Sequence, residues 1–378
     1  MSVDKLKQTV LGLIAVSLFL VSGAVLAEFP LNLTEGVTPT SHKVYELHMT
    51  ILYIVTVIGI AVFSVMAWSI FHHRKSKGAV AAQFHHSTTA EIIWTIIPIL
   101  ILVGMAIPAT KTLVFMEKTS DAEMTLKVTG YQWKWKYDYL DEGISFFSAL
   151  AEEDNSARQR DSGIDPATID NYLKNVDNPI VLPVDTKIRI LTTAADVIHS
   201  WWVPALGWKR DAIPGFINDN WTYIEEPGVY RGKCTELCGK DHGFMPIVVH
   251  AVSKEEYAVW VEEQKAIQLA AADGANREWS KDELLEKGKS IYSANCASCH
   301  QANGNGVEGL FPALNGSAIV NGPAKDMINL ILNGKNLMPA FKEQLNDTDI
   351  AAVITHERNS WDNTAKDIVQ PADVKAAR

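Results

Sequence analysis

The chain has 378 residues, enough for two or three domains. Its formal net charge of -10 and sequence pI of about 5.6 argue against a nucleic-acid binder and suit docking to a basic partner by electrostatic steering. All four cysteines fall in two local motifs, so none remains for a conventional disulfide framework.

In chain order, residues 1–27 read as a secretory signal. Lys5 and Lys7 give a basic start, Val10–Leu20 is an apolar run, and Val25-Leu26-Ala27 offers small residues at the cleavage positions. A retained first transmembrane helix is the alternative, and either one puts the following segment outside the cytoplasm. Met49–Ile70 is a 22-residue apolar stretch, long enough to span a bilayer. Ile92–Thr110 is a second, with Pro98 and Pro108 as kinks that a packed helix tolerates. The short basic run His72-His73-Arg74-Lys75-Ser76-Lys77 between them belongs on the cytoplasmic side. Everything after Met116 is therefore expected on the outer face. Glu91, at the start of the second span, reads as an acid favouring a helix N-terminus.

From Met124 the period becomes two. Trp133, Trp135, Tyr137 and Tyr139 alternate with Lys134, Lys136 and Asp138, which predicts one strand with an aromatic face. Leu140–Pro179 is acidic and poorly periodic, and is expected to be a surface excursion with a short helix over Pro166–Asn175. Short strands follow at Ile180–Leu182, Lys187–Leu191, Trp221–Ile224, Val229–Lys233 and Met245–Val252, separated by turns at Val184-Asp185, Pro214-Gly215 and Pro227-Gly228. Many short strands with turn signals predict a β-sandwich.

Between the last two strands, Cys234 to Met245 packs two thiols, an imidazole and a thioether into twelve residues. Soft sulfur beside imidazole suits copper, with tetrahedral zinc the main competitor. A disulfide within the loop and a reactive thiol with a base remain open. Met245, a ligand zinc rarely takes, and His199 upstream favour copper. Two bridging thiolates with one terminal imidazole each would hold two ions. A copper site between loops of a sandwich points to a cupredoxin-like fold, with His199 on one loop and Cys234–Met245 on another.

These residues resemble subunit II of cytochrome c oxidase over roughly residues 40 to 265. The resemblance implies a dinuclear copper A centre bridged by Cys234 and Cys238, with His199 and His242 terminal. Met245 and the backbone carbonyl of Glu236 would complete the two coordination shells. It also implies that the Glu236 side chain helps bind a magnesium or manganese ion shared with subunit I. By the same resemblance Glu91 lies at the mouth of a proton-uptake path into subunit I. Gln132-Trp133-Lys134-Trp135 matches a family motif whose first tryptophan, here Trp133, receives the electron near the copper.

Ser253 and Glu256 form a capping box for a helix running to about Leu269. Residues 267–279 read as a linker. Ser280 and Glu283 form a second capping box, leading into Cys296-Ala-Ser-Cys299-His300, the c-type haem attachment motif. A zinc ribbon would want a second Cys-x-x-Cys and a thioredoxin-like site a βαβ context, and neither is present. Met338, in Asn336-Leu-Met338-Pro-Ala-Phe341, offers the axial ligand opposite His300. Gly304, Gly306 and Gly309 with Phe311-Pro312 resemble the haem-wrapping loop of small class I cytochromes. A closing helix over Thr348–Arg358 completes an all-α domain, and the tail after Trp361 is expected to be loose.

The expected architecture is multidomain. It has a signal peptide at 1–27, a two-helix transmembrane hairpin at 28–117 and a cupredoxin-like copper A domain at 118–266. The linker at 267–279 precedes a cytochrome c domain at 280–360 and a tail at 361–378. The resemblance implies an electron-accepting subunit of a respiratory oxidase in a bacterial inner membrane, with both redox domains on the outer side. Its partners would be subunit I, other oxidase subunits and a donor cytochrome c. A copper A nitric oxide reductase subunit and a free-standing anchored electron carrier are the alternatives.

Overall fold

The computed structural model describes residues 32–81, 83, 85–159, 162–274 and 276–378. The expected signal segment lies outside the described residues apart from its context in the sequence. The chain divides into two compact units, Met1–Glu35 with Val44–Ile93, and Gly36–Lys43 with Trp94–Arg378.

Helices α1 (Pro39–His72) and α2 (Thr88–Met116) contain the two expected spans, and both are long and apolar enough to cross a membrane. α2 continues through Pro98 and Pro108. The basic run between the helices includes a single 3₁₀ turn at Lys75–Lys77.

The β-sandwich has two five-stranded sheets. β1 (Met124–Tyr131), β2 (Lys134–Tyr139), β3 (Ile144–Ser148), β5 (Lys187–Ala194) and β8 (Asn218–Tyr223) form one, in the order β3-β2-β1-β5-β8. β4 (Ile180–Pro183), β6 (His199–Val203), β7 (Trp208–Ala212), β9 (Gly228–Cys234) and β10 (Pro246–Val252) form the other, in the order β4-β10-β9-β6-β7. β5 shows why the sheets face each other: every second residue, Ile188, Ile190, Thr192 and Ala194, is buried. Trp135, Tyr137, Tyr139 and Trp201 fill the space between the sheets, and Trp201 Nε1 donates to Tyr137 Oη across it at 3.3 Å.

Several local expectations change. The aromatic run is one strand, β2, but it begins only at Lys134, because Tyr131 pairs with Lys134 and leaves Gln132-Trp133 as a two-residue turn after β1. Trp135, Tyr137 and Tyr139 are core, while Trp133 sits in the turn, half-buried. The excursion from Leu140 to Pro179 contains β3 and a short helix α3 (Glu152–Ala157), whereas Pro166–Asn175 holds only one 3₁₀ turn at Pro166–Thr168. Its backbone is tied down by polar side chains: Asp154, fully buried, accepts from Leu173 N and Asn175 Nδ2, and Asp177 accepts from Ala149 N. His199 is not on a loop but opens β6.

After the sandwich, α4 (Lys254–Gly274) starts at the Ser253–Glu256 capping box and runs well into the expected linker. The cytochrome-like region comprises α5 (Lys281–Asn295), α6 (Ala297–His300), α7 (Ala318–Asn321), α8 (Ala324–Asn333), α9 (Asp347–Asn359) and α10 (Pro371–Ala377). The tail is not loose. Val369 and Val374 enter the helical core, Arg358 forms a two-pronged pair with Asp367, and Gln370 exchanges hydrogen bonds with Trp279. Val369, just before α10, and Val374 within it anchor a segment that is otherwise mostly polar.

Candidate redox sites

The first site forms where two strands of one sheet meet a loop. Trp201 of β6 pairs with Cys234 at the end of β9, which brings His199 beside that thiol. His199 Nδ1 lies 4.0 Å from Cys234 Sγ, and the Cys234 and Cys238 sulfurs are 3.9 Å apart. The loop then folds back, so that His242 Nδ1 and Met245 Sδ each lie 3.6 Å from Cys238 Sγ. The carbonyl of Glu236 is 3.4 Å from Cys234 Sγ, while the Glu236 side chain is exposed. Both cysteines are free thiols, and both are buried together with His199 and Met245.

Residues around these groups hold them in place. Asp196 binds His199 Nε2 through Oδ1 at 2.9 Å and accepts from Gln132 N through Oδ2 at 2.7 Å. This leaves Nδ1 of His199 facing the sulfurs, the arrangement by which a carboxylate orients a metal-binding imidazole. Gly130 lies directly against that ring, where an added Cβ would come within 2.7 Å of His199 Cδ2. The Cys238 carbonyl accepts from Gln132 Nε2 at 2.8 Å and Trp133 Nε1 at 3.1 Å. The Met245 carbonyl accepts from Cys234 N at 3.3 Å and Trp135 Nε1 at 3.4 Å.

The hydrogen bond between the two thiols, with help from His199, lowers the Cys234 pKa, and the same bond raises that of Cys238. Burial disfavours the His199 cation, yet hydrogen bonds with Asp196 and Cys234 outweigh it and raise that pKa. Two buried thiols, the buried His199 imidazole, the partly buried His242 imidazole, a buried thioether and a carbonyl fit soft, copper-type coordination.

The second site is a cavity of about 460 Å³ in the helical domain. Cys296, Cys299, His300, Met338, Phe341 and Val353 all line it. Cys296 caps α5 and Cys299-His300 complete α6, so the motif lies on one turn beside the opening. His300 Nδ1 donates to the Pro312 carbonyl at 2.8 Å, which leaves Nε2 available as an axial ligand. Burial lowers the His300 pKa and favours the neutral imidazole that ligation needs. Met338 sits in a turn closed by two hydrogen bonds with Lys335. Gly334 takes φ +69°, and a Cβ there would meet the Met338 carbonyl at 2.5 Å. Free thiols, a pinned histidine and a methionine around one apolar space fit a covalently attached haem.

Glu91 is in the first turn of α2 and belongs to the other compact unit. It is exposed. Asp196 and Gly130 were missed by sequence reasoning. Asp196 stands three residues before His199, which was a usable signal; Gly130 gave none.

Fold and sites define a membrane-anchored cupredoxin-like subunit joined to a c-type cytochrome domain. A family model described as Cytochrome C oxidase subunit II, periplasmic domain, matches residues 124–252, and one for its transmembrane domain matches residues 27–112. A third, Cytochrome C oxidase, cbb3-type, subunit III, matches residues 273–356. The probable cytochrome c oxidase subunit 2 of Rickettsia bellii (strain RML369-C) is 38% identical over 269 residues, 71% of this chain and 95% of that one. Cytochrome c oxidase subunit 2 of Cyanidium caldarium is 40% identical over 232 residues, 60% of this chain and 87% of that one. The solved periplasmic domain of subunit II of cytochrome oxidase of Bradyrhizobium japonicum is 41% identical, covers 39% of this chain and 97% of that chain, and has a TM-score of 0.34. The chain belongs to the cytochrome c oxidase subunit II family and carries a cytochrome c domain at its C-terminal end. The subunit II domain implies a copper A centre, and the cytochrome domain implies haem c.

Proposed function

We propose that this chain is the electron-accepting subunit of a respiratory oxidase that reduces oxygen to water and translocates protons. Electrons would pass from an external cytochrome c or similar donor to haem c, then to copper A, and then to the haem-copper site of subunit I. When bound, the two groups would supply one-electron transfer.

The chain's own residues hold these groups. His199, Cys234, Cys238, His242, Met245 and the Glu236 carbonyl would hold the coppers. Asp196 keeps Nδ1 of His199 turned toward the sulfurs. Cys296 and Cys299 would anchor haem c, and His300 and Met338 would hold its iron. Trp133, hydrogen-bonded to the Cys238 carbonyl, is where the electron reaches the copper loop. The exposed Glu236 carboxylate contributes to a magnesium or manganese site at the contact with subunit I, and Glu91 opens a proton path into that subunit. Both redox domains occupy the outer side of a bacterial inner membrane, because the basic segment between the helices favours the cytoplasm.

The convergence of His199, Cys234, Cys238, His242 and Met245 carries this reading. Metal analysis and electron spin resonance of the purified complex test it: two coppers per chain sharing one unpaired electron are expected, and zinc or a Cys234–Cys238 disulfide would refute it. Oxygen consumption rather than nitric oxide consumption is expected from the same preparation. Glu91→Gln should slow proton uptake, and unchanged turnover would remove that role.

A further inference from the structure

Lys134 is an unusual residue in the copper domain. It opens β2, directly after Trp133, and only 5% of its surface is exposed. A buried lysine cation needs compensation. Here the compensation comes from the haem domain. Nζ donates to Asn295 Oδ1 at 2.5 Å, and Asn295 is the residue before Cys296. The Asn295 amide is held by its own bond to the Ile291 carbonyl, so its oxygen faces the lysine. Nζ also lies 4.6 Å from the ring centre of Phe147 in β3 and 5.6 Å from that of Phe341, three residues past Met338.

Two further contacts flank this one. Asn155 of α3 donates to the Ser293 carbonyl at 2.6 Å, and Lys240 of the copper loop donates to the Ser298 carbonyl. A recess of about 260 Å³ between them is lined by Trp133, Gly239, Phe244, Cys299, Phe311 and Pro339. The contact therefore joins the haem-attachment segment to the copper loop.

We propose that Lys134 is a positioning residue that seats the haem domain on the copper domain, registering the Cys296 segment with Trp133. The dipeptide Trp133-Lys134 faces both ways. Trp133 is bonded to the carbonyl of Cys238, and Lys134 to the residue preceding Cys296. Asn155 and Lys240 flank this seat, Asn155 on the Ser293 carbonyl and Lys240 on the Ser298 carbonyl with its Nζ 5.4 Å from the ring centre of Phe311, but neither adjoins Trp133 in the chain. Burial, which lowers the Lys134 pKa to about 8, shows that the cation is held against a real desolvation cost.

The inference rests on the electron route proposed above, and its test keeps the two apart. In the intact oxidase complex, one electron is delivered photochemically to haem c and copper reduction is followed by absorbance. Lys134→Met keeps an unbranched apolar stem but removes the cation and the hydrogen bond. The transfer should slow at least about tenfold, the weight of one charge-assisted hydrogen bond in a docking equilibrium. Lys134→Arg should restore most of it, while the absorption spectra of both centres stay native. Hydrogen exchange of the backbone around residues 155–158 and 293–299 should accelerate in Lys134→Met, with the sandwich strands unchanged. Asn295→Leu, made from the other side, should reproduce both effects. Native transfer together with native exchange in either variant would overturn the proposal. An electron that never leaves haem c in the native complex would refute the route instead, and the exchange measurement would still decide the role of Lys134.

Discussion

The two redox sites are built in different ways. In the copper domain the ligands hang from a finished scaffold. His199 opens β6 and Cys234 closes β9, two adjacent strands, and the core beneath them is filled by Trp135 and Trp201. In the haem domain the ligands surround a large apolar space that the protein does not fill. The copper-site residues rest on paired strands, whereas a group held in the helical cavity would form part of that domain's core. Domains that bind a group as part of their fold draw stability from that binding.

Four experiments sharpen or break this contrast. The largest effect is expected from Cys296→Ala with Cys299→Ala. Without covalent haem the helical domain should lose cooperative unfolding in calorimetry, while the sandwich transition persists; a helical domain that unfolds as before would end the contrast. Trp201→Ala attacks the scaffold of the other site. It should cost the sandwich about 3–5 kcal/mol in denaturant titration, with copper lost as a consequence.

Next comes pH. The Lys134 pKa falls from 10.5 to about 8 because burial disfavours the cation. The unfolded chain therefore binds more protons between these values, and stability should rise as pH climbs from about 8 to 10.5, by about 3 kcal/mol from this residue. Below about 8 both states hold the proton, so the destabilising contribution is fully present and constant. Asp177 and Asp349 face the cation and oppose the shift, as does the Cys296 thiol until haem is attached. Denaturation midpoints of Lys134→Met, subtracted from native across that range, should remove the slope. The smallest effect is expected from Asp196→Asn, which leaves the fold intact but loosens the aim of His199. Copper retention against a chelator should weaken by about 10–100-fold, the usual reach of a residue that orients a ligand.

Legibility followed the same division. Most of the proposed copper and haem ligands stand close together in the chain, Cys234, Cys238, His242 and Met245 in one group and Cys296, Cys299 and His300 in another, while His199 and Met338 lie far from them in sequence. β4, β5, β9 and β10 were anticipated within a few residues, β5 showing alternate burial and β4 and β10 short apolar runs. β6 and β7 were not. His199–Val203 and Trp208–Ala212 lack a simple period of two in polarity, since Trp201 and Trp202 are both large and apolar although only Trp201 is fully buried. β3 was hidden in an acidic stretch, and its strand character depends on pairing with β2. The packed tail was misjudged for a related reason: Arg358 and Asp367 read as surface charges until each is seen beside the other.

The sequence by itself determined which atoms are present to bind metal and haem, that two segments are apolar enough for a bilayer, and that a sandwich precedes a helical domain. Those features depend on local composition and spacing, which the linear chain displays. Tertiary structure alone decided that Gly130 makes room for an imidazole, that Asp196 aims it, and that Lys134 meets Asn295 from 161 positions away. Such contacts join residues whose separation along the chain carries no periodic signal, and only the packed fold brings them within reach.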